Sequence, residues 1–82
     1  MHEVINDPID VIVSFTENKV IPKLFKWNKR NYKIETINLV HTKMEGKKKI
    51  FYFSVSDLTN YFKLKLDTDC LEWHLIELYT VG

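Results

Sequence analysis

Apolar residues recur at every second position in short runs broken by turn-forming residues, and this period limits the chain to strands. Phe62, Leu64 and Leu66 alternate with Tyr61, Lys63 and Lys65. Successive side chains of a strand point to opposite faces, so one face of this run is apolar and the other polar. Val11, Val13 and Phe15 repeat the pattern against Asp10, Ile12 and Ser14, and Phe51, Phe53 and Val55 repeat it against Ile50 and Tyr52. Leu71, Trp73 and Leu75 share a face in a last run from Cys70 to about Thr80, which slips phase towards Leu78.

The joints are as regular as the runs. Glu17-Asn18-Lys19, Asn28-Lys29-Arg30-Asn31, Glu45-Gly46-Lys47-Lys48 and Asp67-Thr68-Asp69 are turn sequences, rich in residues that tolerate left-handed backbone. Ser56 to Asn60 reads as another turn, with Ser56 and Asp57 as caps. Between Val20 and Trp27, Pro22 cannot donate to a ladder, which predicts an edge strand or one that starts late. From Tyr32 the apolar series passes through Ile34 and then jumps phase to Ile37 and Leu39, as at a β-bulge that bends its strand. Met1 to Pro8 has no period and reads as a loose N-terminal arm. The expectation is a single all-β domain over residues 1–82, a six-stranded antiparallel meander curled into a small barrel or half-barrel. Its expected core is Val11, Val13, Phe15, Phe25, Trp27, Tyr32, Ile34, Phe51, Phe53, Phe62, Leu64, Trp73 and Leu75.

Composition supports this reading without deciding it. Valine, isoleucine and threonine are frequent and alanine and glutamine are absent, which favours pleated over helical structure. An AT-rich coding bias also depletes alanine and enriches lysine, so periodicity carries the argument. At 82 residues the chain buries only a small core. No apolar run is long enough to cross a membrane as a helix, and no signal peptide is recognisable. The single cysteine, Cys70, excludes an internal disulfide. These features predict a cytoplasmic protein with no membrane partner.

The segment Phe25-Lys26-Trp27-Asn28-Lys29-Arg30-Asn31-Tyr32-Lys33-Ile34 resembles a family of small uncharacterised bacterial all-β domains. The shared pattern is Phe-x-Trp, a polar turn, Tyr-x-aliphatic and a further aliphatic three residues on: Phe25, Trp27, Tyr32, Ile34 and Ile37. Near the end the pattern continues as Trp73, Leu75 and Leu78, and many relatives carry tryptophan where this chain has His41. The resemblance spans residues 9–79. It implies a small β-sheet fold with these positions in the core, and it supplies no catalytic residues.

Charge is distributed unevenly. Residues 19–49 hold ten basic side chains against Glu35 and Glu45, a net +8, whereas residues 1–18 carry −4 and residues 50–82 carry −3. Lysines give sequence-independent contacts to phosphates, and exposed aromatics between them stack bases. Lys23, Lys26, Lys29, Arg30, Lys47, Lys48 and Lys49 are therefore the candidate nucleic-acid contacts, with Trp27, Tyr32, Tyr52 and Tyr61 as stacking partners. The plainer reading makes the lysines solubilising residues that guard strand edges. In a meander the turns at 28–31 and 45–48 lie at opposite ends of one strand, which counts against a single patch. With one arginine, bidentate base reading is not expected.

Other chemistry has little to stand on. Cys70 and His74 lie four residues apart, about 13 Å along a strand, too far to chelate together. His41 is the remaining nearby ligand type, and a structural zinc site wants four. Cys70 has no nucleophile elbow around it. Asp67 and Asp69 read as ordinary turn residues. No catalytic residue, metal or cofactor is expected. The predicted function is non-enzymatic binding, of single-stranded or duplex nucleic acid through the basic segment. The alternative is a protein–protein adaptor or a homodimer using exposed strand edges, for which apolar Ile12, Ile50 and Tyr52 on the second face are suited. A ligand-holding barrel is disfavoured, because a chain this short fills its own interior.

Overall fold

The structure, a computed structural model, describes residues 1–80. Seven strands follow one another: β1 (His2–Thr16), β2 (Lys19–Trp27), β3 (Arg30–Lys33), β4 (Thr36–Glu45), β5 (Lys48–Ser56), β6 (Asn60–Asp67) and β7 (Glu72–Thr80). They form one antiparallel sheet in the order β3-β2-β1-β7-β6-β5-β4. The turns follow from the residues that close them. Asn28 and Lys29 both have positive φ, as do Glu17 and Asn18, which makes the β2–β3 and β1–β2 connections two-residue turns matched to strand twist. Gly46, at φ 64°, opens the β4–β5 turn. Asp57 Oδ1 accepts hydrogen bonds from the backbone N–H groups of Thr59 (2.8 Å) and Asn60 (2.7 Å), which caps the β5–β6 turn.

Three expectations are corrected here. Six strands are seven, because the phase slip after Ile34 is a break between strands and not a bulge within one. Ile34 N–H donates to the carbonyl of Lys23 on β2, and Glu35 N–H donates to that of Ser56 on β5. Adjacent residues thus serve opposite edges of the sheet, and the chain changes partner between them. The sheet is not closed into a barrel: β3 and β4 are its two edges and share no ladder. Residues 1–8 are not a loose arm. His2 to Ile9 pair with β7, and Asn6 in left-handed conformation marks the irregularity that lets an unpatterned sequence keep register. Pro8, opposite His74, sits where β1 leaves β7 for β2, close to where a missing N–H is tolerated.

β1 itself divides its pairing, residues 2–9 with β7 and residues 10–16 with β2. The sheet is strongly curled in consequence. Seven flat strands would set the edges about 29 Å apart, whereas the two residues joining β3 to β4 reach about 10 Å. Phe25 on β2 meets Phe62 on β6 edge-on with ring centroids 4.9 Å apart, although β1 and β7 lie between their strands. Tyr32 stacks on Phe25 at 5.1 Å and also reaches Phe62.

The concave face holds the core: Ile9, Phe25, Phe53, Val55, Phe62, Leu64, Leu66 and Leu75 are buried. Every position of the resemblance pattern is in this cluster or packed against it, Trp27, Tyr32, Ile34, Ile37, Trp73 and Leu78 included. Pro22 is also fully buried, at the register shift where Val13 faces it and Lys23 is the extra residue. Two expectations about faces fail. Phe15 is in phase with Val11 and Val13 yet 75% exposed, because the pairing of β1 with β7 ends at Ile9. Ile50 lies on the opposite face to the core and is nevertheless 1% exposed, between Lys43 and Asp67 on its neighbours.

Candidate functional site

The partner changes leave part of the sheet incompletely paired. β3 covers β2 from Leu24 to Trp27, and Ile34 extends this cover to Lys23. Lys19 to Pro22 have β1 on one side and no ladder on the other among the described residues. β4 leaves the same corner and, among the described residues, pairs with β5 alone along its length. β2 and β4 therefore diverge from the Ile34–Glu35 corner. The wedge between them is a cleft of about 460 Å3 lined by Val20, Ile21, Ile37, Val40, Phe51 and Phe53.

A second cleft, about 320 Å3, lies on the other flank of the β1–β2 hairpin, lined by Val13, Phe15, Leu66, Leu71 and Trp73. Val20 and Phe51 line both, so one apolar trough runs beneath the hairpin. Its rim carries apolar side chains in water: Phe15, Leu71 (72% exposed), Val40 (50%) and Met44 (60%). Leu71 is held at φ 60°, a conformation that strains a bulky side chain.

Lysines border the trough on both the β2 and the β4 side. Lys19 lines the cleft, and Lys49 Nζ stands 5.2 Å over the ring of Phe51 in its floor. Lys43 lies on the edge strand and Lys47 in its turn, both exposed. Glu45 accepts a hydrogen bond from the Tyr52 hydroxyl at 3.4 Å, and Glu17 sits in the β1–β2 turn.

The sequence-derived nucleic-acid candidates separate into two groups. Lys29 lies in the β2–β3 turn and Arg30 opens β3, whereas Lys47 lies in the β4–β5 turn and Lys48 and Lys49 open β5, at the other end of the sheet. Lys23 is the bulge residue of β2, and Lys26 lies between Asp10 and Asn31. All seven are exposed. Lys48 is paired with Asp67 at 3.4 Å, so it is not a free cation. Trp27 and Tyr32 are half-buried, and Trp27 Nε1 donates to Asp7 Oδ2 at 2.9 Å. Neither offers a free face to a base.

The convex face has a row that the sequence did not reveal. Register places His41, Tyr52, Lys65 and His74 side by side across β4, β5, β6 and β7. Lys63 Nζ lies 5.4 Å from the Tyr52 ring centroid. Tyr61 stands exposed on the same face opposite Tyr79, and His2 stacks on Tyr79 at 4.2 Å. The signal was available only as alternate positions on four separate strands, and it becomes a site only once register is known.

Cys70 is exposed in the β6–β7 loop, and His74 is on the convex face of β7. His41 and His74 are three strand spacings apart, about 14 Å. No cluster of three or more His, Cys, Asp or Glu positioned to hold a metal occurs among the described residues. No helix among them is long and apolar enough to cross a membrane. Hydrogen bonds from the backbone N–H of Asp69 hold the Asp67 carboxyl below its ordinary range, with Lys48 reinforcing them. This carboxylate is fixed in a turn and pairs with a lysine, which accounts for it structurally. No protein-family model matches the chain, and comparison with curated proteins and with solved structures returned no match.

Proposed function

We propose that this protein is a non-enzymatic protein-binding module that takes up an extended segment along the free edge of β4. The observation that carries this reading is that β4, ten residues long, pairs on one side only and stands beside an apolar trough. A strand edge presents a row of backbone N–H and C=O groups, and natural proteins cover or guard such edges. Here the edge is bordered by Leu39, Val40 and Met44, all exposed. An added strand gains main-chain hydrogen bonds on β4, and its alternate side chains enter the trough, which is strand addition as a recognition mode. Such a strand would fill the wedge between β2 and β4 and bring the curled sheet to a barrel.

A capped eight-residue peptide alternating valine with serine tests the edge directly. Amide hydrogen exchange of residues 39–44 is expected to slow when the peptide is present. A peptide N-methylated along its pairing edge should leave the exchange unchanged. Equal protection by both would remove main-chain pairing, and with it this reading.

A second reading, weak sequence-independent nucleic-acid binding, is favoured by the convex row with Lys63 over Tyr52. An aromatic ring among cations on a sheet face suits base stacking beside phosphate contacts. It moves the interface from the two turns to Tyr52 and Lys65, since Lys63 is paired with Glu77 at 3.4 Å. Titration of labelled single-stranded and duplex oligonucleotides at two salt concentrations should show binding that falls steeply with salt. Lys65→Glu should weaken it. Absence of binding at low salt would dismiss it.

A further inference from the structure

We propose that the strand accepted by β4 is an acidic one: a segment of a partner protein that alternates apolar residues with aspartate or glutamate. This rests on the edge-binding reading above and adds the chemistry of the occupant. A strand lying in the wedge turns every second side chain down onto Val40, Phe51 and Ile37 and the others up to the rim. The lower set is apolar where it meets Val40, Phe51 and Ile37, whose side chains offer carbon alone. The upper set lies on the face of β4 that carries Lys43, with Lys47 in the turn at its end and Lys19 across the wedge, while Lys49 stands at the end of the floor beside Phe51. The nearby acids are Glu17, in the β1–β2 turn beside Lys19, and Glu45 at the end of β4, which is already bound by Tyr52.

The same charges argue against a second copy on this edge. Antiparallel pairing of two β4 edges sets their lysine turns at opposite ends of the pair and offers Lys43 a single carboxylate on its own face, Glu45. A second copy thus offers one carboxylate on this face, whereas an acidic strand offers one at every upper position. Electrostatic complementarity of this kind sets specificity and association rate, and it is screened by salt.

The test uses three capped eight-residue peptides, valine alternating with glutamate, serine or lysine, titrated by fluorescence anisotropy into the full chain at 50 and 300 mM NaCl. The glutamate peptide is expected to bind at least tenfold more tightly than the lysine peptide at low salt and to lose most of that advantage at high salt. The variant K43E/K47E/K49E is expected to reverse the order. All three changes are at exposed positions, and unchanged circular dichroism shows that the fold is retained. Equal binding of the three peptides, with residues 39–44 still protected from exchange, would overturn the acidic assignment and leave edge binding standing. Failure of every peptide to protect β4 would overturn edge binding itself. Concentration-dependent dimers in sedimentation velocity, with β4 protected in the dimer, would make the occupant a second copy and overturn the proposal.

Discussion

Phe15 and Leu75 show how far a residue's phase determines its fate. Both are apolar members of clean alternations, yet Leu75 is fully buried and Phe15 stands in water. The difference is what covers the concave face at each level of the sheet. Leu75 lies on a strand paired on both sides, with Leu64 opposite it, whereas Phe15 lies on the stretch of β1 that β7 does not reach. Leu75→Ala should destabilise the protein by about 3 kcal/mol through the cavity left behind. Phe15→Ser should change stability by less than about 0.5 kcal/mol. Urea denaturation midpoints of the two variants check both values, and a large loss at Phe15 would mean that it is covered. Alternation therefore made the face of each residue legible, and for Phe25, Phe53, Phe62 and Leu64 that was enough to find the core. It did not reveal the cover above Ile50 or the lack of it above Phe15, since both depend on strands distant in sequence.

Among the elements, turns were the most legible and partner changes the least. Asn28-Lys29 and Glu17-Asn18 adopt left-handed backbone as their residue types allow, and the strands they join pair in register from the first residue. Local chemistry fixes such connections, so a local reading finds them. The break at Ile34–Glu35 is another matter. In sequence it is a one-residue slip in phase, and a bulge and a change of partner look alike until the partners of each half are known. The lysine segment is split between two ends of the sheet, as the order of its turns along a meander already implied. Leu71 is the exception among the turns. Its left-handed conformation is one that glycine adopts freely, and the strain on leucine is about 1–2 kcal/mol. Leu71→Gly should raise stability by roughly 0.5 to 1 kcal/mol, after the greater flexibility of unfolded glycine is offset. A fall in the thermal midpoint would show instead that the leucine side chain contributes packing that outweighs its strain. If the stabilised variant also loses affinity for strand peptides, Leu71 serves the trough and not the turn.

Across the whole molecule, three carboxylates tie elements together, and all three titrate below their ordinary range. Glu77 on β7 is lowered first by its hydrogen bond with His2 of β1, 2.7 Å away, against some desolvation, with Lys63 of β6 adding to the effect. Asp67 of β6 is lowered by the N–H of Asp69 and by Lys48 of β5. Partial burial pushes Asp57 up, but its hydrogen bonds from Thr59 and Asn60 outweigh this. A carboxyl with a depressed folded pKa contributes stability that is complete above its unfolded pKa, about 4, and lost as pH falls through the folded value. Denaturation midpoints should therefore drop below about pH 4, and D57N/D67N/E77Q should flatten that drop. An equally steep drop in the triple variant would place the acid sensitivity elsewhere.

The pairing of β1 with β7 has a kinetic side as well. Thr80 N–H donates to the carbonyl of Met1, and the amino group of Met1 donates to the carbonyl of Thr80, so the two ends of the described chain are stitched directly together. During synthesis, β1, β2 and β3 can zip up as soon as they emerge. Residues 2–9 must wait for almost everything after them. Contacts so distant in sequence slow folding, and the waiting strand edge is exposed to misassembly meanwhile. The rate-limiting event in refolding should then be the capture of the amino-terminal half of β1 by β7, with the hairpins already in place.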